Sequence, residues 1–166
     1  LARAAVLVPL VERPTGLQVL LTQRASHLKN HPGQVSFPGG RIESMDAGPW
    51  EAALRETQEE IGLEPRFVTR AGYLQDHLVI SGFRVTPVVG FVRPGFNLQL
   101  DETEVESVFE VPLEFVLDVR NHLPRDRSIA GHTIITREIP YEGRQIWGAT
   151  ANMLITFARL LREVQA

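Results

Sequence analysis

Three glutamates fall close together in the stretch Arg55-Glu56-Thr57-Gln58-Glu59-Glu60-Ile61-Gly62-Leu63. On a helix, residues three and four apart are neighbours, so Glu56, Glu59 and Glu60 share a face, expected to point away from the buried side. Like charges at that spacing cost a few tenths of a kcal/mol per pair. Arg55 relieves part of the repulsion by reaching Glu59 one turn on. A hard divalent cation relieves more, because Mg²⁺ is held by carboxylate oxygens together with water and substrate phosphates. Such a helix is therefore either a solvated acidic face or a metal site.

Immediately upstream lies Phe37-Pro38-Gly39-Gly40, a turn whose glycines allow backbone to approach a ligand closely or simply let the chain reverse. Before it come Arg24, His27, Lys29 and His31, read either as contacts to phosphate or as a solvated polar loop. The four-residue spacing of the two histidines suits a metal pair on a helix. Pro32-Gly33 prevents that helix from continuing and no cysteine completes a zinc set, so zinc is not expected. A second group of acids, Asp101, Glu102, Glu104 and Glu106, precedes Val111-Pro112-Leu113. Tyr141 and Trp147 could stack on a purine, with packing in the core or at an interface as the alternative.

These residues need elements to hold them. Pro49 at a first helical position, with Gly62 and Pro65 as stop signals, frames a helix on which Trp50, Ala53, Leu54, Thr57 and Ile61 form one stripe. Ala4 to Leu10 and Leu17 to Thr22 are Val- and Leu-rich runs separated by Pro14-Thr15-Gly16, the pattern of two strands joined by a turn. Gln34 to Phe37 is a short strand, and residues 41–48 a loop. Phe67 to Leu74 and Phe83 to Val92 are strands, the latter at an edge or a bulge because of Pro87. Leu98 to Glu106 is acidic, and a short helix opens at Val111-Pro112-Leu113. Thr133 to Glu138 alternates, Tyr141 to Arg144 is a turn, and Trp147 to Val164 is a helix with a core stripe of Met153, Leu154, Phe157, Leu160 and Leu161. Strands mixed with two or three helices indicate an α/β or α+β fold whose strand order the pattern does not fix.

The 166 residues suit one domain, residues 1–166, with no internal repeat or dividing linker. Seventeen basic against 20 acidic side chains leave a net charge of −3, too near neutral for a nucleic-acid partner bound by bulk charge. The absence of cysteine excludes disulfides, thiolate metal sites and a cysteine nucleophile. The longest apolar run, Ala4 to Val11, is far short of the roughly 20 residues that span a bilayer, so no membrane partner is expected. No leader is evident, although the chain starts at Leu1 rather than methionine; a trimmed N-terminus and a cytoplasmic location are expected.

Gly40 through Leu63 resembles the Nudix box, the motif of hydrolases that act on a nucleoside diphosphate linked to another group. Gly40, Arg55, Glu56, Glu59, Glu60, Gly62 and Leu63 match its pattern. Two positions depart from it. The acid at the sixth position after Gly40 is Asp46, and eight residues rather than seven separate it from Arg55, leaving it either the box's acid or a loop or capping residue. Thr57 replaces the usual apolar residue. Leu20 through Ala25, then Lys29, Gly33 and Phe37-Pro38-Gly39-Gly40, are similar to the signature of the coenzyme A pyrophosphatase branch of that family. That signature has arginine at Lys29, so charge is kept and the two-pronged guanidinium geometry lost. Phe109 to Leu113 and Ile146 to Ala151 are similar to the same branch.

The resemblance implies an α/β/α sandwich with a central mixed sheet flanked by helices. It further implies hydrolysis of the pyrophosphate of coenzyme A to 4′-phosphopantetheine and adenosine 3′,5′-bisphosphate. Glu56, Glu59 and Glu60 would hold Mg²⁺ or Mn²⁺, and Glu56 or a loop acid such as Glu104 would take the proton of the attacking water. Arg55 would orient Glu59. Arg24, Lys29, Phe37, Gly39 and Gly40 would meet the substrate. A hydrolase for another dinucleotide such as NADH or ADP-ribose is the alternative, and a nucleotide-binding module without catalysis a further one.

Overall fold

Eight consecutive apolar residues, Ala4 to Val11, are what a strand covered on both faces requires, and parallel pairing places such strands in sheet interiors. The computed structural model, which describes residues 1–165, places this run in β1 (Ala2–Arg13). Ala5, Leu7 and Val11 belong to one core cluster, while Ala4, Val8 and Leu10, of opposite parity, are buried as well. The chain divides into two compact units, Leu1–Leu113 and the part from Glu114 onward.

In the first unit β1 turns through Pro14-Thr15 into β2 (Gly16–Arg24), pairing Arg13 with Gly16. After β2 come the short strands β3 (Val35–Ser36) and β4 (Gly39–Arg41), then helix α1 (Pro49–Ile61) and a single 3₁₀ turn, Pro65–Phe67. Strands β5 (Val68–Tyr73), β6 (His77–Val79), β7 (Phe83–Val92) and β8 (Val105–Pro112) follow. All join one sheet, whose main path runs β3-β2-β1-β7-β5. Strands β1 and β7 run parallel, from Ala2 opposite Phe83 to Val11 opposite Val92, and every other pairing is antiparallel. Helix α1 lays Ala52, Ala53 and Ile61 on the core formed by Ala5, Leu7, Val11, Val88 and Val92. Each large side chain buried there contributes about 1.5–3 kcal/mol.

Two expectations fail here for local reasons. Pro87 does not mark an edge, because β7 lies inside the sheet between β1 on one side and β5 and β6 on the other, and the bulge of the β5–β7 pairing falls at Arg70/Gly72, not at Pro87. Its carbonyl accepts from the Leu74 N–H at 2.9 Å, so its own missing N–H faces the same side. There β6 ends at Val85 and β5 begins at Val88, leaving a gap in the ladder that needs no donor. The acidic stretch runs on into a strand, and the expected short helix starts at Leu113 rather than Val111. Residues 105–112 form a strand that pairs with β2 from Gln18 to Arg24, with a bulge at Gln23/Arg24. Its side chains alternate too weakly in polarity to announce it.

The second unit holds α2 (Leu113–Leu117), a 3₁₀ turn, and the antiparallel strands β9 (Leu123–Ile129), β10 (His132–Tyr141) and β11 (Arg144–Ile146). The β10–β11 connection is the two-residue turn Glu142-Gly143, both at positive φ, as the Tyr141 to Arg144 pattern predicts. Helix α3 (Gly148–Gln165) buries Met153, Leu154 and Phe157, whereas Leu160 is exposed. The α/β class with a mixed sheet is the one expected. No helix among the described residues is long and apolar enough to cross a membrane.

Thr57 occupies the apolar position of the α1 stripe, 1% exposed, and its hydroxyl has no hydrogen-bond partner among the described residues. A buried hydroxyl without a partner costs about 1–3 kcal/mol in lost hydration. Thr57→Val keeps the shape and removes that group. It should raise stability by about 1 kcal/mol, read as a melting temperature about 3 °C higher.

Candidate active site

The C-terminal end of α1 is where the site is built. A helix leaves its last carbonyls without partners, and here the chain supplies them from a distant segment. Gly62 turns left-handed at φ 73°, its N–H bonding Gln58 O. Gln99 N–H then donates to Ile61 O and Asp101 N–H to Glu60 O, each at 2.8 Å. A Cβ on Gly62 would lie 2.8 Å from Gln99 N, so only glycine admits this crossing. The crossing delivers the acidic loop to the helix.

Beyond it, Asp101 closes a tight turn. Its Oδ1 accepts from the Thr103 N–H and hydroxyl, and its carbonyl from the N–H groups of Glu104 and Val105. The turn sets Glu104 so that its charge repels those of Glu56 and Glu60. At Glu56 the repulsion from Glu104 adds to that from Glu59, and at Glu60 it adds to that from Glu56.

Glu60 does not lie on an outward acidic face as the spacing suggested. At about 100° per residue it falls almost in line with Ala53, seven residues back, and is 7% exposed. Gly39 N–H donates to its Oε1 at 2.7 Å. Burial pushes the Glu60 carboxyl up to about 8, against the partial relief of the Gly39 bond and with repulsion from Glu104 and Glu56 added; Arg24 works the other way. Burial also raises the Glu56 carboxyl, opposed by its hydrogen bond from Arg55.

The Gly39-Gly40 pair belongs to β4, against β1. A Cβ at Gly39 would sit 2.3 Å from Ala5 O, and one at Gly40 would sit 2.6 Å from the Glu56 carboxyl carbon. Gly39 lets two strands close up, and Gly40 leaves room for a carboxylate.

Arg55 has more partners than the reading at i+4 allowed. Its Nε and Nη2 donate to both Asp46 oxygens, at 2.9 and 2.8 Å, while Nη1 reaches Glu56 at 3.1 Å and Glu59 at 3.3 Å. Nη2 also donates to Arg41 O. The Asp46 side chain is 4% exposed and accepts from the Glu43 N–H as well. The Arg55 guanidinium holds its carboxyl down at about 2. Asp46 is therefore not a helix cap; that position is Gly48, which gives no side-chain bond. Glu59 stays largely exposed, tied to Arg55.

The remaining predicted residues are placed less uniformly. Arg24 lies near Glu60, donating Nη2 to Asn30 O while its buried Nε has no partner among the described residues. Lys29 and His31 are exposed. Phe37 is 5% exposed, so its ring packs inside rather than presenting a surface to a ligand. Tyr141 packs edge-on against Phe115, and Trp147 lies under Arg127 with the guanidinium 4.0 Å from the ring centroid. An open cleft of about 550 Å³ beside the Asp101 turn is lined by Ala25, His27, Gln99, Leu100, Glu102 and Glu106. Sequence spacing gave no sign of the Asp46–Arg55 pair or of the Gln99 crossing.

For a divalent cation the donor set is of the right kind, all carboxylate oxygen, with one member buried against its own charge and a glycine gap beneath another. Among the described residues no three such groups converge as a finished cage.

A mixed sheet carrying a glutamate-rich helix over a glycine turn has the donors for a metal and a phosphate, and comparison with known proteins supplies the class. The model of the NUDIX domain matches residues 1–130, and the chain belongs to that family. It is 46% identical over 153 residues to the uncharacterized Nudix hydrolase NudL of Salmonella paratyphi B, covering 92% of this chain and 79% of that one. Among solved structures, a C. elegans Ap4A hydrolase in a binary complex superposes with a TM-score of 0.64 at 17% identity, over 98% of this chain and 99% of the other. The NUDIX domain of Shewanella oneidensis NrtR, complexed with ADP ribose, gives 0.58 at 18% identity over 96% and 88%. The protein is a Nudix pyrophosphohydrolase, a family that works with divalent metal ions.

The raised Glu60 carboxyl has a consequence for stability. A folded-state value of about 8 against an ordinary 4.5 means that the folded chain keeps a proton the unfolded chain has released. Stability then falls as pH climbs through that window. Glu60→Gln keeps the acceptor for Gly39 without the charge. In melts without divalent ions it should match the parent near about pH 5 and exceed it near about pH 8.

Proposed function

We propose that the chain hydrolyses the pyrophosphate of coenzyme A to 4′-phosphopantetheine and adenosine 3′,5′-bisphosphate. The observation that supports the reaction type is the pair of α1 carboxylates at the glycine turn, Glu60 buried with the Gly39 N–H on its Oε1 and Glu56 against the space that Gly40 leaves open. The choice of coenzyme A is supported by the signature from Leu20 to Gly40, which runs through β2, the loop after it, β3 and β4.

Glu56, Glu59 and Glu60 would hold Mg²⁺ or Mn²⁺, which when bound neutralises phosphate oxygens and lowers the pKa of a coordinated water. Water attacks one phosphorus in line, the bond from that phosphorus to the bridging oxygen breaks, and the second phosphate leaves with the electron pair. Glu104 or Glu56 takes the proton of the water; burial already raises the proton affinity of Glu56. Arg55 touches no reacting atom in this reading. Clamped by Asp46, it fixes the direction of Glu56 and Glu59. Arg24 and the exposed Lys29 supply positive charge for phosphate groups, including the 3′-phosphate that distinguishes coenzyme A. Gly39 and Gly40 keep that approach open, and residues 1–166 act as a single Nudix domain in the cytoplasm.

A second reading, hydrolysis of another nucleoside diphosphate derivative, draws support from the ADP ribose bound to the NrtR domain. Incubation of the chain with coenzyme A, dephospho-coenzyme A, NADH, ADP-ribose and Ap4A, each with Mg²⁺ or Mn²⁺ and with products identified by mass, separates the readings. Coenzyme A should be preferred, yielding the two products above. Equal turnover of dephospho-coenzyme A would remove the 3′-phosphate contact. Glu56→Gln and Glu60→Gln should each lower turnover by about 100-fold or more while leaving the fold intact.

A further inference from the structure

We propose that His27 is a positioning residue for Glu104, acting through a backbone hydrogen bond at the edge of the site. The inference rests on the reading above that gives Glu104 a part in the reaction. The His27 Nε2 lies 3.0 Å from Thr103 O. A carbonyl only accepts, so the ring donates and carries its proton on Nε2.

The peptide planes on either side of Glu104 show why this one bond matters. In the plane between Thr103 and Glu104, the Glu104 N–H donates to Asp101 O at 3.0 Å, and the Thr103 carbonyl takes the His27 proton. In the plane between Glu104 and Val105, the Val105 N–H donates to Asp101 O at 2.9 Å, and the Glu104 carbonyl accepts from Ala25 N–H at 2.9 Å. Both planes are thus held at both ends, which fixes φ and ψ of Glu104 and so the direction of its Cα–Cβ bond. Three of these four ties are backbone to backbone. His27 supplies the fourth, and it is the tie a side-chain substitution can remove.

Without it, the plane before Glu104 is held by its N–H alone and can rock about that bond. The carboxylate at the end of the side chain then samples a wider arc relative to Glu56 and Glu60. Misplacement on the scale of an ångström in a positioned group is enough to lower a rate steeply. Substrate affinity has no reason to change, because His27 acts on a group of the chemical step. His27 is exposed, so its removal opens no core.

The test compares His27→Ala, His27→Gln and Glu104→Gln, using coenzyme A with Mg²⁺ for kinetics and amide hydrogen exchange for the loop. Glutamine places an N–H donor at a reach similar to that of Nε2. His27→Ala should lower kcat by about tenfold at unchanged KM and melting temperature. It should also speed exchange at the Glu104 amide. His27→Gln should restore both, and His27→Ala should add nothing in a Glu104→Gln background. Unchanged exchange at Glu104 in His27→Ala would overturn the proposal whatever the substrate. So would full losses that simply add in the double variant, or a fall in KM-controlled binding alone. If Glu104→Gln turns over like the parent, the part given to Glu104 fails, and the positioning role with it. If Glu104→Gln is inactive and His27→Ala is not, only His27 is wrong.

Discussion

A carboxylate moved out of water loses hydration that one hydrogen bond does not return. Glu60 is in that position, with the Gly39 N–H as its direct donor and two further glutamates repelling it. Much of the first unit can be understood from this placement. The stripe of α1 must bury Glu60 together with Ala53 and Thr57, so the helix is set with one acid inward. Strand β4 must come near enough for Gly39 to donate, which its lack of a side chain permits against Ala5. The carbonyl of Glu60 is tied to Asp101, so the residue that carries the inward acid also anchors the loop that carries Glu104. A partner of opposite charge would relieve all three glutamates at once. Within the described residues Glu60 has the Gly39 N–H and the charge of Arg24, and Glu56 has Arg55.

Arg55 answers a different need. Glu56 and Glu59 lie on the more solvated side of the helix and would be free to turn. A guanidinium held by both oxygens of Asp46 is a rigid fork, and the nitrogen left over reaches both glutamates. The extra residue between Asp46 and Arg55 is absorbed in the loop before α1, where it does not disturb this pairing. Tolerance of length there follows from the pairing being made by a side chain of the helix rather than by the loop backbone.

What could be read in advance followed from periodicity and punctuation. Pro49 and Gly62 bracket α1 because one residue lacks an N–H that the first turn does not need and the other accepts positive φ. The Ala4 to Val11 run became a doubly covered strand. Glu60 was misassigned because a polar residue was counted with its acidic neighbours rather than by its angle, which is nearly that of Ala53. Strand β8 was hidden because Glu106 and Glu110 interrupt its apolar pattern, the latter held by Arg13 at 2.6 Å. Long-range ties such as Asp46 to Arg55, His27 to Thr103 and Gln99 to Ile61 leave no mark in local spacing. The last two join groups far apart in the chain, and the first a loop to the helix that follows it. Of the site itself, the hydrogen bond from Gly39 to the buried Glu60 and the loop that carries Glu104 to the end of α1 left no trace in the spacing.

The parallel pairing of β1 with β7 bears on how the chain comes to be active. Ala2 lies opposite Phe83, so the sheet cannot close until the intervening strands and α1 have been made. Closing so long a loop costs entropy before any contact rewards it, and chains dominated by such pairings fold slowly. The acidic loop is later still in the sequence than β7. In chain order Glu56 and Glu60 precede β7, and Glu104 follows it.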